Sequence, residues 1–481
     1  MSIYDKYETV IGLETHVQLA TQSKAFCSDA IEFGASPNTR ISAISLAYPG
    51  TLPKANHKQI EFAIRLGLAL GSEINLENRF DSKNYLYADL PKGYQITQDR
   101  LPICVGGALK IRVKGKEKSI RIHHIHMEED AGKSTHDLAP KHSMIDLNRA
   151  GTPLLEVVSE PDLRSEEEVD AFMTTMRQLV RYLEISDGNM EQASLRCDCN
   201  VSVRLKGVSE FGQRCEIKNL NSMRFARKAI QYERKRQIDL IESGGEVQQN
   251  TLNFDPVTGK TSPLRSKENA HDYRYFPEPD LPPVVVTQEQ VKQIQSSLPP
   301  LPDELFAEFT QTFQLSEYDT NILLEEKNNA LFFRILAQST AHKKAAANLM
   351  INKILPYLGD ESKEIKQFPI NTEHLVELIE LIQTDKVSNS VAYQKLFPEL
   401  LKQANIAPLK LAEQLNLLQS NDDDFLQNLI TQILEQHPDK VKAYQKGKKG
   451  LIGFFMGELM KQSRGKANPK EANKLLAERL G

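Results

Sequence analysis

Strand patterning stops near residue 290, and that break constrains the fold more than any other feature of the sequence. Before it, alternating apolar and polar residues are punctuated by glycine and proline. After it, helical periods follow one another at roughly 302–313, 319–338, 341–355, 373–383, 388–403 and 407–418, where leucine, alanine, lysine and glutamate dominate. A chain of 481 residues exceeds a typical single domain. The expected organisation is an α/β (α+β) domain over residues 1–292, an all-helical domain over 293–404 and a small helical tail over 405–481.

No apolar run approaches the length of a membrane span, and residues 1–10 lead into a strand without a secretory apolar region. Five thinly spread cysteines suit a reducing compartment, so a cytoplasmic protein is expected. The net charge of -4 does not announce a nucleic-acid partner, although a local patch can still bind one.

Residues 7–20 read as a strand with Val10, Gly12, Glu14 and His16 on one face and Ile11, Leu13, Thr15 and Val17 on the other. A carboxylate and an imidazole two residues apart can reach one cation together, or simply hydrogen-bond at a sheet edge. The richest stretch is 120–136, I-R-I-H-H-I-H-M-E-E-D-A-G-K-S-T-H. Strict alternation puts Ile120, Ile122, His124, His126 and Glu128 on one face, with Arg121, His123, Ile125, Met127 and Glu129 on the other. Its end places Glu128, Glu129 and Asp130 at a rim. The following G-K-S-T is not a phosphate loop, because Met127 stands where the first glycine belongs and three acids replace the amide cradle. Such acids repel bare phosphate but welcome magnesium, which can carry phosphate with it.

Lys83, Lys92 and the tyrosines of 79–99 can line an anionic or aromatic ligand site, or pack as a partly exposed segment. Ser165 with Glu168 opens a helix whose Val169, Phe172, Met173, Met176, Leu179, Val180 and Leu183 keep a 3.6 period and belong to the core. A second polar cluster spans 190–219, where Arg196, Asp198 and Asn200 share a strand face and Glu216 and Lys218 sit two apart. Cys197 and Cys199 are too close and too alone for a structural zinc site. Ser222 starts a basic helix reaching about Glu242, and a hairpin turns at 255–259. Between Lys440 and Lys470 nine basic residues face one acid, Glu458, a local charge of about +8. Lys446, Lys448, Lys449, Lys461, Arg464 and Lys466 flank the apolar G-L-I-G-F-F-M-G-E-L-M-K. That pattern fits a membrane-surface helix, or an RNA-backbone face whose apolar side is packed inside a domain.

Several long motifs carry a resemblance. V-I-G-L-E-T-H-V-Q-L at 10–19, H-M-E-E-D-A-G-K-S at 126–134, D-L-N-R-A-G-T-P-L-L-E-V-V-S-E-P-D at 146–162, S-L-R-C-D at 194–198, E-I-K-N-L-N-S at 216–222, D-Y-R-Y-F-P-E-P-D at 272–280 and G-F-F-M-G-E-L-M-K at 453–461 all match. In this order, over essentially the whole chain, the sequence resembles the B subunits of tRNA-dependent amidotransferases. The resemblance implies a cradle-shaped N-terminal α/β domain, a helical domain and a tail that contacts tRNA. It implies a heterotrimer in which a small C subunit clamps the A subunit, an amidase that releases ammonia from glutamine. The B subunit would use ATP and Mg2+ to phosphorylate the side-chain carboxylate of Glu on tRNA(Gln), or Asp on tRNA(Asn), before amidation.

Glu14, His16, Glu129 and Glu216 match the family positions associated with magnesium, with Glu128, Asp130 and His126 as weaker candidates. Magnesium prefers oxygen, so His16 is expected to act through a water or from an adjacent shell. Charge and position suggest that Lys83 and Lys218 neutralise phosphate, and Glu128 and Glu129 complete the expected catalytic set. Many relatives carry two cysteine pairs that look like a zinc site, the first near position 27; here only Cys27 remains, so no structural zinc is expected. The alternative is a non-catalytic tRNA-binding scaffold with structural carboxylates. The chain has no glutaminase nucleophile arrangement, so an ammonia-release assay on the isolated chain with glutamine is expected to read background.

Overall fold

The computed structural model describes residues 2–135, 141–218, 220, 222–266, 273–419, 423–463, 467 and 469–481. His136, Asp272, Arg464 and Lys466 of the motifs above lie outside the described residues. Contacts divide the chain into two units, Met1–Asp303 and Glu304–Gly481.

The first unit is built on a ten-stranded sheet. Its strands are β1 (Tyr7–Gln18), β2 (Glu73–Ile74), β3 (Cys104–Val105), β4 (Ala108–Val113), β5 (Lys116–Glu129), β6 (Pro153–Ser159), β7 (Leu195–Leu205), β8 (Cys215–Lys218), β9 (Asn250–Asp255) and β10 (Lys260–Ser266). They are ordered β10-β9-β8-β7-β1-β6-β5-β3-β2, with β4 also paired to β5. The β8–β9 pair is parallel, and β1 runs antiparallel to both of its neighbours. Helices α1 (His57–Leu70), α2 (Glu166–Tyr182) and α3 (Met223–Glu242) cover one face of the sheet. A further helix, α4 (Gln288–Ser296), packs on α1 through Val291 and Ile294 and so belongs to this unit.

Pleating explains the division of labour between the faces. Along β1, Ile11, Leu13, Thr15 and Val17 are buried against the helices, while Glu14 and His16 turn to the uncovered face. The apolar stripe of α2 meets them, with Phe172 and Met176 fully buried. Burial of each such side chain contributes about 1.5–3 kcal/mol.

Local signals place the helices. Asn56 caps α1 by accepting from Lys58 N at 2.8 Å, and Gly71 ends it with φ 71°. Gln59, three residues on, is buried and donates to the carbonyls of Glu128 and Leu154 at 2.9 and 3.2 Å, tying α1 to the ends of β5 and β6. Ser165 and Ser222 cap α2 and α3 by accepting from Glu168 N and Phe225 N, each at 3.2 Å. The β9–β10 hairpin turns through Asp255, whose side chain accepts from Val257 N and Thr258 Oγ1 at 2.8 Å.

Strict alternation fails along β5. Ser159 of β6 faces Ile122, but Val158 faces His124, so β5 carries one extra residue there. Ile120 and Ile122 are buried before this bulge, Ile125 and Met127 after it. The bulge thus returns the apolar residues to the core and turns His124, His126 and Glu128 to the opposite face.

The described secondary structure of the second unit is helical. The period over 319–338 is two helices, Glu317–Leu323 and Lys327–Gln338, because the chain becomes extended at Glu326. Two π-helical turns, Met350–Ile354 and Ala392–Leu396, precede Pro356 and Pro398. Each proline lacks the N–H that an α-helix would require, and the wider turn absorbs the mismatch. A separate apolar cluster gathers Leu426, Ile430, Ile433, Phe455, Leu459 and Leu476. The apolar side of Ile452–Gln462 is therefore covered by its own neighbours, which corrects the membrane-surface reading. Among the described residues, no helix is long and apolar enough to cross a membrane.

Glu233 on α3 is fully buried and accepts from Arg236, Gln237 and Thr261, joining α3 to β10. Burial pushes its carboxyl up, but the hydrogen bonds from Arg236 and Gln237 outweigh that and hold it below the usual range. Its contribution is present at neutral pH and is lost as pH falls through the depressed value. Glu233→Ala should cost about 3 kcal/mol at neutral pH, read as a lower urea midpoint, and the gap to wild type should narrow on acidification.

Candidate active site

The uncovered face of the sheet gathers charge by register. Arg196 of β7 lies opposite His16 of β1, His16 opposite Glu156 of β6, and Glu156 opposite His126 of β5. One row away Asp198 faces Glu14, and on the next strand Glu216 faces Asn200. Directly opposed residues on antiparallel strands share a face, so these side chains converge. Glu14, His16, Glu156, Arg196 and Glu216 line a cavity of about 320 Å³ whose other wall includes Lys83, Tyr85, Gln95 and Tyr273.

Two acid groups result. In the first, His16 Nε2 lies 3.5 Å from Glu128 Oε1 and 3.3 Å from Glu156 Oε2. His126 Nε2 approaches the same carboxylates, at 3.7 and 3.4 Å. Burial alone would lower both imidazoles, but the carboxylates carry His16 up to about 8 and His126 up to about 10. Burial pushes the Glu128 and Glu156 carboxyls up, and the two imidazoles more than reverse it. His124 stacks on His126 and is pushed down to about 4 by burial and by the neighbouring His126 and His123.

In the second group, Glu14, Asp198 and Glu216 bring carboxylate oxygens within 4.8 Å of one another. Lys218 Nζ stands 2.9 Å from both Asp198 and Glu216. Burial pulls this lysine down, and the two carboxylates raise it well above its usual range. Asn200 Nδ2 donates to Glu14 at 2.9 Å, and Asn200 Oδ1 is buried with no hydrogen-bond partner among the described residues. Thr251 donates to Glu216 at 3.0 Å. The two groups offer oxygen-rich donor sets with the ligand spacing of divalent cations.

The expected metal set is therefore divided. His16 joins Glu128 and Glu156, whereas Glu14 and Glu216 join Asp198. Glu129 belongs to neither group among the described residues, because pleating sends it to the reverse side of β5 from Glu128. There it pairs with Lys92 and accepts from Ile96 N at 2.9 Å, beside a small cavity lined by Lys24, Phe26 and Gly151. Asp130 is an ion-paired strut, with Arg196 at 3.0 Å and Arg149 at 3.5 Å. Lys83 enters the cleft from the hairpin of Asp81–Asn84 and Tyr94–Thr97, its ammonium 4.9 Å from the Tyr273 ring centre. Cys27 lies by Ser45, which also donates to Asp29, in the loop between β1 and α1.

Sequence reasoning missed Glu156 and left Asp198 out of the ligand set. Glu156 had a readable signal: it is the lone charge in P-L-L-E-V-V-S, a run otherwise suited to a buried strand. In the second unit Lys446, Lys448, Lys449 and Lys461 are exposed, and Lys449 donates to the Gly481 carbonyl at 3.2 Å.

Removing the Lys218 cation leaves three carboxylates crowded without its ammonium. Lys218→Met should lower the melting temperature without divalent metal, and saturating magnesium should raise it by more than it raises the wild type. An equal gain in both proteins would show that Lys218 does not balance this group.

Comparison with known proteins identifies the family. Residues 9–292 match the family model described as the GatB/GatE catalytic domain, and residues 331–480 match the GatB domain. The chain is 45% identical to the B subunit of the aspartyl/glutamyl-tRNA(Asn/Gln) amidotransferase of Persephonella marina, covering 99% of this chain and 100% of that protein. It is 46% identical to the proteins of the same description from Thermodesulfovibrio yellowstonii, over 98% of each chain, and Trichlorobacter lovleyi, over 99% of each. With both models matched and near-complete alignment at this identity, the chain belongs to the family of aspartyl/glutamyl-tRNA(Asn/Gln) amidotransferase B subunits.

Proposed function

We propose that this chain is the amide-forming subunit of a glutamine-hydrolysing carbon–nitrogen ligase, using ATP to activate the side-chain carboxylate of glutamate on tRNA(Gln), or aspartate on tRNA(Asn). The observation that carries the reading is the pair of acid groups facing one cleft with Lys83 and Lys218 beside them. A carboxylate resists ammonia because oxide is a poor leaving group. Attack of a carboxylate oxygen on the γ-phosphorus of ATP forms an acyl phosphate and releases ADP. Ammonia then attacks the acyl carbon, phosphate leaves, and nitrogen gives up a proton.

Mg2+ fits both groups by donor chemistry, and the orphaned Asn200 Oδ1 supplies a further oxygen beside Glu14. Bound there, the ion would screen the repulsion between substrate carboxylate and ATP phosphates. Glu128, Glu156 and His16 would hold one ion; Glu14, Asp198 and Glu216 the other. Lys83 and Lys218 would bind phosphate oxygens from opposite walls of the cleft. Beyond Glu14 and Asn200 the same sheet face continues into a cavity of about 470 Å³ with Phe211 and Arg214, which suits the base of ATP. Glu129, paired with Lys92, would act from the reverse side rather than as a metal ligand.

Ammonia would come from the amidase, the A subunit, held by the small C subunit in a cytoplasmic heterotrimer. The domain reading, with a catalytic cradle over 1–292, a helical domain over 293–404 and a tRNA-contacting tail over 405–481, is part of this proposal. Lys446, Lys448, Lys449 and Lys461 of the tail would meet the tRNA backbone, together with Arg464 and Lys466.

The test uses the assembled complex, charged Glu-tRNA, magnesium and free ammonia, which bypasses glutamine hydrolysis. Glu128→Gln and Glu156→Gln should each reduce phosphate release and amide formation together by roughly 100-fold or more, with tRNA binding intact. Full activity in both variants would favour the scaffold reading, with structural carboxylates.

A further inference from the structure

At the wall of the cleft that faces the acid groups, three tyrosine rings pack edge to face in sequence, and a fourth, Tyr275, packs on the inner one, Tyr273, at 6.0 Å. The Tyr273 and Tyr85 centroids are 5.9 Å apart, and Tyr85 and Tyr87 are 5.7 Å apart. Tyr273 and Tyr85 line the cleft, whereas Tyr87 is 56% exposed and follows Leu86, 86% exposed. The rings therefore lead from the cavity to solvent. Lys83 lies over two of them, 4.9 Å from Tyr273 and 5.8 Å from Tyr85. A hydrogen bond ties the two segments of the ladder: the carbonyl of Arg274, which stands at φ 46°, accepts from Asn84 Nδ2 at 3.1 Å.

We propose that this tyrosine ladder, with Lys83, is the platform that receives the unpaired 3′ end of the aminoacyl-tRNA; the inference rests on the function proposed above and names the part of the substrate bound at this wall. The reacting side chain is esterified to the terminal ribose. When its carboxylate lies among the acid groups, the terminal base must sit at the wall or mouth of the same cleft. Unpaired bases are held by aromatic rings without regard to pairing, and Lys83 braces two of the rings by cation–π contact. The base of ATP is a second candidate for any aromatic wall. The ladder runs outward to an exposed ring, which suits a strand that continues into solvent and not a mononucleotide. The cavity at Phe211 already offers a separate place for ATP on the far side of Glu14.

The test uses the assembled complex and Glu-tRNA whose terminal adenine is replaced by fluorescent 2-aminopurine. Wild-type complex should quench the probe. Tyr87→Ala and Tyr273→Ala should abolish most of the quenching and raise KM for aminoacyl-tRNA by about tenfold or more, with KM for ATP unchanged. Tyr87→Phe and Tyr273→Phe should restore both readouts, since the ring is kept. Unchanged quenching and KM in Tyr87→Ala, a solvent-facing change that spares the fold, would overturn the proposal. A rise in KM for ATP with none for tRNA would also overturn it. Tyrosine-dependent quenching by a wild-type complex that cleaves no ATP would uphold the ladder and sink the phosphorylation chemistry.

Discussion

Everything in the first unit depends on the two-residue pleat of β1 at the middle of the sheet. Burial of Ile11, Leu13 and Val17 against α2 and its neighbours forces Glu14 and His16 onto the other face. The flanking strands obey the same rule, so Glu156, Asp198 and Arg196 arrive beside them. A register slip of one residue would exchange core and site together. The apolar core therefore holds the chemistry in place, although none of its atoms takes part.

Such crowding of acids is tolerable because cationic side chains stand among the carboxylates. His16 and His126 sit between Glu128 and Glu156, and Lys218 bridges Asp198 and Glu216. The two imidazoles hold the Glu128 and Glu156 carboxyls down despite burial, which favours the ionised state a divalent cation requires. The arrangement also leaves cations at the cleft wall.

Glu128 and Glu129 show how far local pattern reaches. Adjacent acids on a strand must diverge, and the sequence already contained that fact. Which one faces the cleft depended on the bulge at His123, because without it Glu128 would have stayed on the side of Ile120 and Ile122. Bulges are set by the partner strand, here the Val158–Ser159 step of β6, and a single-strand reading has no access to them. The capping residues Ser165 and Ser222 were legible for the opposite reason: a cap satisfies backbone groups within three residues of itself.

The sequence by itself determined the strand-rich first part, the helical second part, the faces of β1, the core stripe of α2 and, through its long motifs, the family. Those features are local, or recur as contiguous words. Only the tertiary structure decided that the acids form two groups, that Glu156 and Asp198 complete them, and that Glu129 stands apart with Lys92. It also decided that Tyr85 and Tyr273, distant in the chain, meet beside Lys83. Those outcomes depend on cross-strand register and on loops folding back over the sheet, which are contacts between residues far apart in sequence.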